Sequence, residues 1–191
     1  MGLPFPNVEF QALLTEIASL KPDAVACFFA GGGAAKFIKD YAAAGLKSKI
    51  PLYGSGFLTE GVLDAAGPAA DGIYSTLHYS DSLDTARNKA FRLAYAKTFK
   101  LQPDVYAVQG YDASQMLLAG LKGVKGDLSK KAEFAAAVEA AKIDSPRGTF
   151  TLSKSHNPVQ DIYLRKVVGK ENTVVGIASK GLADPARGCK M

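Results

Sequence analysis

Along the first 80 residues the apolar positions alternate between short continuous runs and stretches with helical spacing. Phe10, Leu13, Leu14, Ile17 and Leu20 recur at helical intervals, and Lys21-Pro22-Asp23 ends that helix and opens a strand through Phe29. Residues Gly33–Ala44 read as a second helix, with Phe37, Ile38 and Tyr41 on one face and Gly45 as its stop. Pro51 opens a second strand in Ile50–Gly54, a position at which proline is tolerated. A short helix starts at Thr59 and ends near Gly67-Pro68, and Asp71–Thr76 forms a third strand. Short apolar strands alternating with helices predict a parallel sheet covered by helices.

Beyond Leu77 the pattern changes. His78–Thr85 is polar and turn-rich and reads as a crossing segment. Thr85 or Asp84 then caps a long helix, Ala86–Phe99, with Phe91, Tyr95 and Phe99 four residues apart. Gln102-Pro103 breaks it. Two more helices follow, Asp104–Val124 and Ser129–Ala141, the latter with Ser129 as its expected N-cap. Three strands close the pattern: Gly148–Leu152, Val159–Val168 and Thr173–Ile177, joined by turn-rich segments as an antiparallel meander. The chain thus reads as an α/β part (1–80), a helical part (81–143) and a β part (147–180), with a surface tail from 181 to 191. The helical part has no sheet of its own to cover.

Composition narrows the class. Apolar residues make up 48% and charged residues 21% of 191 residues, an ordinary globular balance. The net charge of +5 is scattered, with no basic stripe carrying interleaved aromatics, so no nucleic-acid partner is expected. No apolar run approaches the ~20 residues of a membrane span. Met1–Asn7 has neither the basic nor the apolar region of a signal peptide. Cys27 sits mid-strand as a small buried hydrophobe, and Cys189 lies near the end; a disulfide between them stays open.

The candidate chemistry is sparse. Gly31-Gly-Gly33 ends a strand and begins a helix, so its backbone N–H groups can hold an anion or simply make a tight turn. It lacks the third glycine of a dinucleotide fingerprint, where Lys36 stands, and the Lys-Ser/Thr of a P-loop. Gly54-Ser55-Gly56 has the wrong spacing for a nucleophile elbow. His78 and His156 have no acid at motif spacing, and no His/Cys/Asp cluster has metal-ligand spacing. No enzyme, cofactor or metal is implied. Ligands of parallel sheets bind outside the carboxyl ends of the strands. Here those ends are Ala30–Gly33 and Gly54–Phe57, loops that suit binding rather than reaction. The aromatics Phe57, Tyr79 and Tyr111 can either pack in the core or wall a small-molecule site.

Seven segments together resemble one family. They are Lys21–Val25, Lys39–Leu46, Ile50–Gly54, Gly67–Gly72, Gln109–Ala113, Ser145–Phe150 and His156–Tyr163. In this order they resemble the periplasmic solute-binding proteins of branched-chain-amino-acid-type ABC transporters, from about residue 7 to 178. The resemblance implies a type I periplasmic binding fold, two α/β lobes with ligand in the cleft between them, of which this chain matches the C-terminal half. Residues 1–80 and 147–180 then correspond to the second lobe. Residues 81–146 correspond to the crossing segment and to helices that cover the first lobe.

Carried over, the ligand-binding residues fall on Phe29, Ala30, Gly31, Ser55, Gly56, Phe57 and Tyr79, with Tyr111 facing them from the first-lobe side. Amino-acid-binding members place an acid near the second strand end; here Ser55 stands there, with Glu60 the nearest acid. The resemblance implies a solute-binding component of an ABC-type uptake system for amino acids or small aromatic or apolar carboxylates, with a permease partner and a periplasmic location. The alternative is a truncated, self-associating structural fragment. Because Phe91, Tyr95, Phe99, Leu117, Leu118, Leu121, Phe134 and Val138 form apolar helix faces without a sheet, a homodimer is expected.

Overall fold

A computed structural model describes residues 9–188 of the chain. The expectations for Met1–Asn7 and for Cys189 lie outside the described residues. The chain forms two compact units, one of residues up to 77 with 164–176, the other of 78–163 with 177 onward. The backbone passes between them at 77/78, 163/164 and 176/177, whereas the sequence pattern drew its boundaries at 80, 146 and 180. Residues 147–163 group with the helical segment, to which Arg147 is tied by its ion pair with Asp112.

The first unit begins with helix α1 (Gln11–Leu20), whose buried Leu14 and Ile17 follow Phe10 at helical spacing. Lys21 ends it in the left-handed conformation and donates its N–H to the Ile17 carbonyl at 3.1 Å. Strand β1 (Val25–Cys27) pairs in parallel with β2 (Leu52–Ser55), Val25 opposite Leu52, and β2 pairs in parallel with β3 (Tyr74–Leu77), Tyr53 opposite Tyr74. Between β1 and β2 lies α2 (Gly31–Ala43), which starts two residues before the expected position and buries Ala34, Ala35, Phe37, Ile38 and Tyr41. The connection from β2 to β3 is broken into a 3₁₀ turn at Gly56–Leu58, the four-residue helix α3 (Leu63–Ala66) and a second 3₁₀ turn at Gly67–Ala70. The expected parallel α/β arrangement is therefore present.

The far end of β5 (Pro158–Val168) joins this sheet beside β3: Gly72 donates to the Val167 carbonyl, and Val167 donates to the Ile73 carbonyl, both at 2.9 Å. β6 (Glu171–Leu182) pairs with β5 after a two-residue connection, which only an antiparallel pair accommodates. The core of the unit is apolar, centred on Phe10, Phe37, Ile38, Tyr41, Leu58 and Val167. Cys27 packs against it half-buried, and burial pushes its thiol up to about 12. On the other side of the sheet Tyr53 stacks on Tyr74 at 5.7 Å, Lys166 lies 5.3 Å from the Tyr74 ring, and Tyr53 stays exposed.

The second unit is built on α4 (Ala86–Phe99), α5 (Val105–Gly123) and α6 (Lys131–Glu139). Thr85 caps α4 by accepting from the Asn88 N–H at 3.1 Å, and Asp104 caps α5 by accepting from the Ala107 N–H at 2.9 Å. Ser129 does not cap α6. Its hydroxyl donates to Asp127 instead, 2.6 Å away, and Lys130 takes the cap position without a side-chain bond. Phe134 and Val138 are not orphaned either: they fit against Gly120 of α5, and Ala137 fits against Gly123, where any larger residue would collide. Phe91 is also buried, against Tyr95 and Tyr111. Leu93, Phe99, Leu117 and Leu118 remain more than half exposed, Phe99 with its ring 4.6 Å from that of Tyr95, and with Leu121 they are exposed apolar positions of α4 and α5. β4 (Thr151–Leu152) pairs antiparallel with the start of β5. The tail does not begin at 181: β6 runs through Leu182, and Asp184 accepts from Asn157 Nδ2 at 2.6 Å. No described helix is long and apolar enough to cross a membrane.

A β-carbon at Gly56 would lie 2.5 Å from that of Leu77 and 2.8 Å from Arg165 Nη2, whereas one at Gly32 would meet nothing within 4 Å. Gly56→Ala is therefore expected to lower stability by about 1–3 kcal/mol through overpacking. Gly32→Ala, inside α2, is expected to raise it by about 0.4–1 kcal/mol. Urea-unfolding midpoints of the two variants check this, and equal shifts of one sign would contradict it.

Candidate functional site

In the first unit the strand ends meet as the sheet pattern requires, but with one aromatic exchanged. Side chains alternate along an extended segment. Val25, Cys27 and Phe29 therefore share the core face, and Phe29 packs against Phe37 at 4.6 Å and Phe10 at 5.2 Å. Ala26 and Phe28 point the other way. Phe28 is 67% exposed and meets Phe57 edge-on, with ring centroids 6.1 Å apart. The expected site residue Phe29 thus belongs to the core, and Phe28, which the sequence reading passed over, takes the surface position. The period-two alternation from Val25 was the signal that could have found it.

Ala30 and Gly31 are exposed at the start of α2. Ala30 is extended and supplies no side-chain cap, and β-carbons built on Gly31, Gly32 and Gly33 meet nothing within 4 Å. The first N–H groups of α2 thus stand beside open space, a local arrangement favourable to negative charge. Ser55 ends β2 with its hydroxyl oxygen buried and without a hydrogen-bond partner. Phe57 is half-buried two residues on.

Gly56 is different. It is buried, and its carbonyl is surrounded by donors: Arg165 Nη2 and the Glu60 N–H at 3.0 Å, and the Thr59 N–H at 3.1 Å. A side chain at this position would collide with Leu77 and Arg165, so glycine lets the loop close over the guanidinium. Arg165 is 1% exposed and also donates to Glu60 Oε2 at 2.8 Å and to Ser75 Oγ at 3.3 Å. Ser75 in turn bonds Thr59 Oγ1 at 3.0 Å. The acid nearest the loop in sequence is therefore locked inside the fold.

Tyr79 and Tyr111 belong to the second unit. Of the two places open to Tyr79, the core or the wall of a site, it takes the core: it is fully buried, and its hydroxyl donates to Asn88 Oδ1 at 3.0 Å. Asn88 in turn donates to the carbonyls of Asp81 and Leu83, so Tyr79 anchors the turn that starts α4. Tyr111 is 37% exposed; its ring lies 5.1 Å from Phe91, and its hydroxyl accepts from Arg87 Nη2 at 2.7 Å.

Next to Tyr111 sits a polar cluster that the sequence reading did not single out. Asp112 Oδ2 accepts from Arg147 Nε at 2.8 Å and from Ser145 Oγ at 2.9 Å, while Arg147 Nη1 donates to Gln160 Oε1 and its guanidinium lies 4.0 Å from the Phe150 ring. Burial raises the Asp112 carboxyl and lowers the Arg147 guanidinium from their ordinary values, each opposed by attraction to the other. A cavity of about 160 Å3 within this unit is lined by Arg147, Phe150, Gln160 and Tyr163 among others. It holds none of the expected site residues. Among the described residues no three His, Cys, Asp or Glu side chains form a metal-holding group.

The family model described as periplasmic binding protein matches residues 2–172. The chain belongs to the periplasmic binding protein family. The Leu/Ile/Val-binding protein homolog 6 of Brucella abortus (strain 2308) is 32% identical over 174 residues, 86% of this chain and 44% of that protein. Among solved structures, a solute-binding protein of an ABC transporter from R. palustris in complex with benzoate is 57% identical. It covers 99% of this chain and 52% of its own, with a TM-score of 0.91. A counterpart from Rhodopseudomonas palustris BisB5, in complex with 3,4-dihydroxybenzoic acid, is 33% identical over 97% of this chain and 52% of its own, with a TM-score of 0.83. The type I periplasmic binding fold expected from the resemblance is thus the fold observed. The chain spans about half the length of the relatives it matches.

The Asp112 cluster yields a stability test for this periplasmic binding protein. Removing one partner of a buried ion pair strands the other, so Asp112→Ala is expected to cost about 3–5 kcal/mol, and Asp112→Asn, which keeps an acceptor, less. Above its ordinary value of 3.8 the unfolded chain releases the Asp112 proton while the folded chain holds it to a higher pH. The contribution of Asp112 to stability therefore falls as pH rises through that window. Urea midpoints from pH 4 to 7 are expected to show this component in the parent chain and lose it in Asp112→Asn.

Proposed function

We propose that this chain is the C-terminal portion of the solute-binding component of an ABC-type uptake system, and that its ligand is a small aromatic carboxylate. The observation that carries the reading is the exposed Phe28 ring set edge-on to Phe57, with the unpartnered hydroxyl of Ser55 in the same loop. Two aromatic faces suit a benzenoid ring, a free hydroxyl donates to a carboxylate, and the uncapped start of α2 favours negative charge. The benzoate and dihydroxybenzoate bound by the R. palustris proteins support the same chemistry. An amino-acid ligand, suggested by the Brucella relative, is the second reading. It lacks the free acid that an ammonium group requires, because Glu60 is paired with Arg165.

In this reading the chain binds its ligand without converting it, works outside the cytoplasmic membrane and delivers to a permease. The ligand contacts are Ala30, Gly31, Ser55 and Phe57, with Phe28 in place of Phe29. Since the chain spans half of its relatives, it supplies part of the contacts, and affinity falls exponentially with the free energy lost. The apolar positions Leu93, Phe99, Leu117, Leu118 and Leu121 make a homodimer the companion proposal. Burying one leucine fully contributes about 1.5–3 kcal/mol, enough over several side chains to favour association. A truncated chain that only self-associates is the alternative.

Titration of isotopically labelled chain with benzoate and with leucine separates these readings. Benzoate is expected to shift the amide resonances of Phe28, Ser55 and Phe57 with a millimolar dissociation constant, leucine to shift none, and Phe57→Ala to weaken benzoate about five- to tenfold. Leucine binding tighter than benzoate would replace the first reading with the second. Sedimentation velocity is expected to show a dimer that Leu117→Lys with Leu118→Lys dissociates; a monodisperse parent monomer would rule the dimer out.

A further inference from the structure

The loop that carries Ser55 and Phe57 rests directly on Arg165, a residue more than a hundred positions away in sequence. Arg165 engages the Glu60 carboxylate, the acid of that loop, and the Gly56 carbonyl. Its Nη1 donates to Glu60 Oε2, and the Glu60 side chain is only 8% exposed. Its Nη2 donates to the Gly56 carbonyl, which also receives the Thr59 and Glu60 N–H groups. What the loop leaves without a partner is the Ser55 hydroxyl, which can donate to a carboxylate but carries no charge to offset that of an ammonium.

From this we infer that Arg165 is a positioning residue that sets the charge preference of the site, admitting carboxylate ligands and excluding ligands that carry an ammonium group. The inference rests on the proposed reading of the Ser55–Phe57 loop as a ligand wall. An ammonium brought against this loop loses water and gains no anion in return. Glu60 cannot turn toward it without leaving the guanidinium of Arg165 buried and unpaired, the costlier arrangement. A carboxylate meets no such obstacle, since the Ser55 hydroxyl and the N–H groups at the start of α2 are donors.

Benzoate and benzylamine share a ring and differ in charge, so their affinity ratio reads the preference directly. In the labelled parent chain benzoate is expected to shift the Ser55–Phe57 resonances and benzylamine to leave them in place. Arg165→Met frees the Glu60 charge and is expected to move the ratio toward benzylamine by at least about tenfold. Arg165→Lys, which keeps a cation for Glu60, is expected to retain the parent preference. Arg165→Met combined with Glu60→Gln, which leaves no charge beneath the loop, is expected to reverse most of the change.

A merely structural Arg165 would weaken both probes in parallel, and an unchanged ratio in Arg165→Met overturns the inference. Should Arg165→Met fail to fold, Glu60→Gln decides: with Arg165 no longer neutralised, benzoate tightens at least about threefold, and an unchanged benzoate affinity overturns the inference. Equal binding of both probes by the parent chain overturns it while the site reading stands. Binding of neither probe at millimolar concentrations overturns the site reading, and the inference with it.

Discussion

A guanidinium that is 1% exposed must find acceptors inside the protein, and the search by Arg165 for its own organises the first unit. Its partners come from residues 56, 60 and 75, three points on the connection that follows β2 and on β3 itself. To meet them, β5 must return beside β3 after the chain has built the whole helical unit. The demand reaches down to single atoms, because a side chain at position 56 would occupy the space of the guanidinium. A buried ion pair is weak evidence of net stability. What it supplies is selectivity among arrangements: a slip of β5 by one residue would turn Arg165 to the opposite face.

The same constraint shapes the surface chemistry. The loop above Arg165 has the Gly56 carbonyl and its nearby acid turned inward, leaving the aromatic ring of Phe28 exposed, that of Phe57 half-buried and the Ser55 hydroxyl buried but unpartnered.

The second unit follows a different logic. Its polar cluster ties Asp112 Oδ2 to Arg147 and Ser145 and Arg147 to Gln160, with Asp112 Oδ1 buried and unpartnered, and Gly120 and Gly123 let α5 and α6 approach closely. Yet α4 and α5 keep exposed leucines, and one face of the parallel sheet in the first unit shows Tyr53 stacked on Tyr74. Parallel sheets and amphipathic helices are normally covered on their apolar faces.

Periodicity, capping residues and turn glycines are local signals, and they were enough to place the strands, most of the helices, the parallel order of β1 to β3 and the family. They also led to the loops at Ala30–Gly31 and Ser55–Phe57, because strand ends are legible wherever an apolar run stops. What they could not decide was the direction of each side chain once elements packed. Phe28 and Phe29 are chemically identical neighbours, and only the contacts of Phe29 with Phe10 and Phe37 assign one to the core and the other to the surface. Tyr79 looked like a wall of a site until Asn88, nine residues on, gave its hydroxyl a buried partner. Glu60 looked available until Arg165 reached it across 105 residues. The sequence by itself determined the elements and their order, since these depend on neighbours a few residues apart. Tertiary structure alone decided which polar groups remain free, since a hydrogen bond or an ion pair is made by whatever lies close in space.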